Sequence, residues 1–419
     1  MSRNQNIKYT AIGVLPSDWD VMTIEDVCDV KTGPFGSALH AKDYVAQGTP
    51  IITVEHIGNT RISHSRNIPQ VSDIDKKRLS AYVLKEGDIV FSRVGSIDRS
   101  SIVTEQEDGW LFSGRLLRLR KKNGVNFCPL YLCYHLNSEG ARRRIVAKAV
   151  GQTMPSLNTQ ILNQIEIALP SYECEQSRIA EALSSVEGLI LDLERAIRKK
   201  KSMKLGAMQQ LLSGKVRLKG FSTPWVEVEL RQTGVMKSGG TPSTLVSEYW
   251  NGNINWLQSG AVQNCYIYPS AVSQKITELG LSKSAAYLIS HDSVLIALTG
   301  ATCANVGYLT FDSAANQSVV SIEPYPEYSA KFLYQLLLTK RDLILQNRGG
   351  SAQGGVSLNQ LKGITVTLPI DLEEQVEIAA ILSAMDNEIA ALEAERDKYK
   401  NIKQGMMQQL LTGQIRLPV

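Results

Sequence analysis

The chain has 419 residues, an apolar fraction of 43% and a formal net charge of +4. That length is too great for one ordinary core, and the apolar fraction excludes a disordered chain. A net charge this small excludes a strongly basic or acidic polymer-like protein and says little about partners.

The polar opening "MSRNQNIKYT" carries no signal-peptide pattern, and residues 1–17 read as an N-terminal arm. No apolar run is long enough to span a bilayer, so a cytoplasmic protein with no membrane partner is expected. Residues 18–170 read as a first globule. The runs "PIITVEHI", "DIVFSRV" and "LLRLRK" are β-type stretches bounded by turn formers, and "PLYLCYHLNSEGARRRIVAKAV" reads as one helix after them. Residues 171–213 read as a long helix, with Pro170 just before it and Gly214 just after. Its apolar seam steps 4, 3, 4, 3, 4 through Ile179, Leu183, Val186, Ile190, Leu193 and Ile197.

Residues 214–370 repeat the globule, with strand runs "NINWLQ", "SVLIAL" and "SVVSIEP" and the helix "SAKFLYQLLLTKRDLILQN". Residues 371–412 repeat the long helix, seamed by Ile378, Leu382, Met385, Ile389 and Leu392 and ended by Gly413; residues 413–419 form a tail. A sustained heptad seam needs a partner helix, and the economical pairing is antiparallel within the chain.

The duplication is explicit. "MQQLLSGKVRL" at Met208–Leu218 returns as "MQQLLTGQIRL" at Met407–Leu417, 199 positions later. Glu175-Gln176, Ile179-Ala180 and Leu183-Ser184 recur at the same offset as Glu374-Gln375, Ile378-Ala379 and Leu382-Ser383. Such a period is a duplicated domain pair, far longer than a solenoid unit. "GQIRLPV" ends the chain in the way that "GKVRLKGFSTPWVEV" leads into the second globule. The repeat is therefore circular, as expected of a closed body with a pseudo-two-fold axis and neighbouring termini. The expected fold is α+β: two α/β globules separated by two long antiparallel coiled-coil helices.

Catalytic apparatus is missing from the sequence. There is no GxxxxGK[ST], HExxH, GxSxG or Pro-Pro run, which argues against a stand-alone methyltransferase or nuclease. The six cysteines, Cys28, Cys128, Cys133, Cys174, Cys265 and Cys303, have no CxxC spacing and read as buried free thiols, with no metal site. "GGSAQGG" (349–355) lacks the lysine and the setting of a nucleotide loop. Loops remain. "KTGPFGSALH" and "KSGGTPSTLVSEYW" open the two globules, pairing a lysine with hydroxyls and with glycines that allow close backbone approach; such loops suit phosphate contacts or are ordinary surface turns. Arg93 and Arg99 can read guanine or form surface ion pairs. Gln152 and Gln353 can read adenine or cap a turn. "ARRR" (141–144) and "RKKKSMK" (198–204) read equally as solvated helix faces or phosphate contacts.

"SGGTPSTLVSEYWNGNINWLQSGAV" (238–262) resembles the opening of a target recognition domain from the specificity subunit of type I restriction–modification systems. "EEQVEIAAILSAMDNEI" (373–389) and "MQQLLTGQIRL" resemble that family's repeated spacer helices. The resemblance covers essentially the whole chain. The first globule departs from the pattern, with "KTGPFGSALHAKDY" where the second has "KSGGTPS…EYW", which implies different target sequences for the two. The resemblance implies a non-catalytic subunit that reads a bipartite double-stranded DNA target, one half per globule. It implies helices that set the spacer and dock two methyltransferase subunits, with restriction/translocase subunits joining them. No cofactor is expected in this chain; S-adenosylmethionine, ATP and Mg belong to the partners. DNA contacts are expected at Lys31, Thr32, Ser37, His56, Arg61, Arg93, Arg99 and Gln152 in the first globule. In the second they are expected at Lys237, Ser238, Thr241, Ser243, Gln258, Thr299, Arg348 and Gln353. The two seams, with Gln209 and Gln408, are expected to serve partner docking. The rivals are a specificity subunit of another restriction type with a fused nuclease–methyltransferase partner, and a protein-binding coiled-coil scaffold.

Overall fold

A computed structural model describes residues 6–34, 39–64, 67–95, 97–150, 156–347 and 355–417. Two compact units result: Met1–Leu193 with Glu395–Val419, and Glu194–Ala394. Each long helix, Glu173–Leu211 and Leu372–Leu410, is continuous over 39 residues and gives one part to each unit. At 1.5 Å per residue each is about 60 Å long.

In the first unit a five-stranded sheet runs in the order Cys28–Thr32, Leu116–Lys121, Ile89–Ser92, Ser100–Ile102, Thr60–Arg61. Its last pair is parallel and the others antiparallel. The second unit repeats this order with Gly234–Ser238, Val319–Pro324, Ser293–Ala297, Val306–Leu309 and Cys265–Ile267, again with only the last pair parallel. A smaller sheet lies beside each: four strands centred on Thr49–Ile52 in the first unit, three centred on Trp250–Leu257 in the second. Each globule is closed by an antiparallel pair. Trp19–Thr23 meets Glu166–Pro170, and Trp225–Glu229 meets Thr365–Pro369. Pro170 and Pro369 therefore end strands opposite Trp19 and Trp225, where the missing N–H is harmless. Residues 7–16, expected as part of an arm, form a hairpin of Ile7–Thr10 with Gly13–Pro16.

The single helices expected after the strands are each broken in two: Pro129–Leu136 with Glu139–Lys148, and Ala330–Leu338 with Arg341–Gln346. In the first unit the cause is visible. Buried Asn137 turns its amide to Ser100, donating to the Ser100 carbonyl at 2.9 Å, and Ser138 caps the next helix by accepting from the Ala141 N–H. The thiols also differ from expectation: Cys174 is exposed, and Cys128 and Cys265 are only partly covered.

Most seam residues are buried. Ile179 and Leu183 share a core with Leu410, Leu411, Trp19 and Tyr131 in the first unit; Ile378 and Leu382 share one with Met208, Leu211 and Phe332 in the second. The N-terminal turns of each helix thus pack on the C-terminal turns of the other, which is antiparallel pairing. Ile190, Leu193, Ile197 and Ile389 are buried, while Val186, Met385 and Leu392 are half-buried. Polar clamps repeat at the 199 offset. Lys403 reaches Glu187 at 2.7 Å, and Lys204 reaches Asp386 at 2.6 Å. Arg416 grips fully buried Glu175 (Nε–Oε1 2.5 Å) and lies over the Trp19 ring; Arg217 grips fully buried Glu374 (2.6 Å) and lies over Trp225. Arg416 also bonds Asp18 through both terminal nitrogens, which ties the end of the chain to its start.

Both helix-ending glycines adopt φ +68°, the left-handed conformation that stops a helix. They also sit where a side chain would collide. A Cβ on Gly413 would stand 2.4 Å from the Pro16 ring, and one on Gly214 would stand 3.2 Å from the Trp225 ring.

Candidate nucleic-acid interface

Four separate backbone segments meet at one end of the five-stranded sheet in each unit. In the first, the Gly33 N–H donates to the Leu116 carbonyl, the Arg93 N–H to the Arg115 carbonyl, and the Leu157 N–H to the Arg93 carbonyl. In the second, Gly239 donates to Val319, Leu298 to Ser318, and Val356 to Leu298. The opening loop, the turn before the long strand, the end of the central strand and the segment leading to the "SLN" turn therefore converge. Thr32, Arg93, Ser238 and Thr299 stand on or beside these segments.

Lys31 and Lys237 occupy matching places on the outer strand of each sheet. The Lys31 Nζ lies 4.8 Å from the Tyr82 ring centroid, and the Lys237 Nζ 5.3 Å from that of Tyr287. The Tyr287 hydroxyl donates to the Lys237 carbonyl at 3.1 Å and lies 2.7 Å from the Ser321 hydroxyl; burial pushes its phenol up to about 12. Each lysine is thus held on an aromatic face; Lys237 is exposed and Lys31 half-buried. Sequence reasoning missed both tyrosines, because nothing in the chain marks which ring will lie under which lysine.

The glycines of these loops approach backbone, as expected, but the backbone is the protein's own. A Cβ on Gly33 would meet the Ser113 carbonyl oxygen at 2.1 Å, and one on Gly239 that of Ala315 at 2.2 Å. Thr241 and Ser243 are exposed; Thr241 Oγ1 donates to Gln317, and the Ser243 carbonyl accepts from Trp250 Nε1 at 3.1 Å. Exposed Gln258 donates to Gln274 at 3.1 Å. Arg93 and Arg99 are half-buried. Arg93 Nη1 lies 3.5 Å from the Gly114 carbonyl, and Arg99 Nη1 donates to the Ile57 carbonyl at 3.1 Å. Ser37, Gln152, Arg348 and Gln353 lie outside the described residues. Arg115 was not singled out from the sequence. It is exposed and lines a cleft of about 590 Å³ with Pro34, Thr53, His56 and Gly114.

Two expected contact residues also make contacts within the first unit. His56 is 2% exposed and its Nδ1 accepts from the Thr53 N–H at 3.0 Å; burial holds its pKa below the usual histidine range. The neutral ring serves as a local cap through this edge. Arg61 points to the long helix, 3.3 Å from the Ser184 hydroxyl and 3.6 Å from Glu187. Tyr266, on the matching strand of the second unit, lies 2.9 Å from the hydroxyl of Ser383, the repeat counterpart of Ser184. Both residues anchor a globule's edge strand to its helix. Gln209 and Gln408 are exposed on the last turns of the two long helices.

The architecture is thus a duplicated α+β fold, with two long helices and, in each unit, polar loops gathered at one sheet end. A family model described as the type I restriction modification DNA specificity domain matches residues 16–200 and again 223–403, and the chain belongs to this family of non-catalytic DNA-recognition subunits. It is 28% identical over 433 residues to the putative type I restriction enzyme MjaX specificity subunit of Methanocaldococcus jannaschii, covering 99% of this chain and 98% of that one. The fold matches the crystal structure of a type I restriction–modification S subunit from M. genitalium with a TM-score of 0.66, at 16% identity and 98% coverage of each chain. A chain from a structural study of complex assembly and conformational transition of the type I R-M system matches at a TM-score of 0.53 and 16% identity, covering 96% of this chain and 99% of that one.

Proposed function

We propose that each globule reads one half of a bipartite double-stranded DNA target through the loops gathered at its sheet end. The paired helices set the unread spacer between the halves. The observation that carries the reading is the repetition of one loop platform with different side chains on it: Arg93 and Arg115 in the first unit stand where Leu298 and Ser318 stand in the second. An architecture kept while its contact chemistry changes is what two different half-sites demand. The helices support docking of two methyltransferase subunits, because the clamps at Glu187 and Asp386 make two similar stretches from one repeat. In this reading S-adenosylmethionine belongs to those subunits, and ATP and Mg to the restriction/translocase subunits that join them.

A modest net charge supplies little counterion release, so the free chain binds DNA weakly and gains tight, specific binding with its partners. Titrating labelled duplex with the chain, alone and then with its methyltransferase, tests this. A nanomolar, sequence-specific affinity of the free chain at physiological salt would refute it.

A further inference from the structure

The cleft lined by Arg115 in the first unit also holds a carboxylate, Glu55. Both residues are exposed, so both charged ends are open to a ligand. The backbone brings them to one place. Leu111–Phe112 runs parallel to Ile51–Ile52, and the Ser113 N–H donates to the Ile52 carbonyl at 2.9 Å. Arg115 follows Phe112 by three residues, and Glu55 follows Ile52 by three. Glu55 is the middle residue of the short turn Val54–His56, which Thr53 and His56 cap. Arg115 is tied to the reading platform, because its carbonyl accepts from the Arg93 N–H. Among the described residues neither side chain forms an ion pair, with the other or elsewhere. Their opposite charges therefore do not hold the fold together.

The second unit keeps this frame and drops both charges. Ala314–Ala315 runs parallel to Trp256–Leu257, and the Asn316 N–H donates to the Leu257 carbonyl at 2.9 Å. In that register Glu55 becomes Gly260, again the middle residue of a short turn, Ser259–Ala261, and Arg115 becomes Ser318. A Cβ on Gly260 meets nothing within 4 Å, so space does not forbid a side chain there. The cation and the carboxylate are present together in one unit and absent together from the other.

A carboxylate facing DNA repels phosphate and weakens binding to every sequence, unless a base donor offsets it. In the major groove guanine presents two acceptors, O6 and N7, and its cytosine partner presents the N4 amino donor. A guanidinium matches the first bidentately and a carboxylate matches the second. Thymine O4 would give the arginine a single acceptor.

Building on the DNA-reading role proposed above, we propose that this cleft reads one guanine·cytosine pair of the first half-site. Arg115 donates to guanine O6 and N7, and Glu55 accepts from cytosine N4. The test maps methylated positions in a genome that expresses the full chain with its methyltransferase, for the parent and for Arg115→Ala and Glu55→Ala. Both positions are exposed, so both variants keep the fold. One block of the parent target should hold a G·C pair that both variants relax, with the other block unchanged. The methylation-rate ratio of duplexes differing only at that pair should fall about tenfold in each variant. Glu55→Ala should bind unrelated duplex no more weakly than the parent does. Relaxation at an A·T pair, relaxation at two different pairs, or an unchanged target overturns the proposal. So does an equal loss across all sequences, which marks a phosphate contact. An uninterrupted parent target would end the two-half-site reading, while a G·C pair relaxed by both variants would still support this cleft. Two blocks whose G·C pairs neither variant alters would sink this assignment alone.

Discussion

Replacing Arg416 with alanine removes the guanidinium that grips Glu175, a carboxylate with 0% exposure at the root of the first long helix. Breaking a buried pair from one side costs about 3–5 kcal/mol, because the remaining charge stays buried and unpaired. The Arg416 side chain is 25% exposed, which favours the lower end, about 3 kcal/mol or roughly 150-fold in a local opening equilibrium. Glu175→Gln keeps the shape and an acceptor but no charge, so it should cost about 1 kcal/mol. In the double variant Arg416→Ala no longer strands a charge, and the two effects should miss additivity by about 2 kcal/mol. Two compact units make a global melt ambiguous, so the assay is native-state hydrogen exchange on the amides of residues 176–185 and 408–415. The same change at Arg217 should loosen residues 375–385 instead. An Arg416→Ala cost below about 0.5 kcal/mol, or additive single effects, would refute the reasoning.

Gly413→Ala should destabilise more than Gly214→Ala. Both positions are left-handed, but the first collides with a rigid proline ring at 2.4 Å and the second with an indole face at 3.2 Å; native-state hydrogen exchange at the end of each long helix in the two variants checks the order. Asp18 gives an acid-side signature. The Arg416 hydrogen bond holds its carboxyl below the usual 3.8, so its contribution is present above that value and disappears as pH falls through the lower, folded-state value. Asp18→Asn should flatten stability against pH in that window, measured by exchange or urea melts between neutral and acid pH. Lys31→Ala and Lys237→Ala should weaken binding of the assembled complex equally across DNA sequences, each lowering the salt slope by about 1; an effect confined to one base position would mean base reading.

How much of this was readable beforehand depends on the range of the forces involved. The long helices were legible because their signals are local: a 4-3 seam from Ile179 to Ile197, a proline before it and Gly214 after it. The circular repeat was legible in its endings, and the Arg416–Asp18 contact is its physical expression. The break at Asn137 was not, because its partner Ser100 stands 37 positions away. The contacts of Arg61 were not legible for the same reason: Ser184 and Glu187 come near this exposed arginine only once the helix is packed. His56 carried a usable hint in the T-x-x-H spacing from Thr53, that of a capping box. The convergence of Thr32, Arg93 and Arg115 on one sheet end depends on strand order, which loop chemistry alone does not reveal.

The central claim is that one chain reads two separate half-sites, and mapping methylated positions across a genome that expresses it with its methyltransferase tests this most directly. The account predicts two short defined blocks divided by an unread gap, with the gap altered or methylation lost when four residues are inserted within the first long helix. One uninterrupted recognition sequence, or an unchanged gap in the insertion variant, would contradict it.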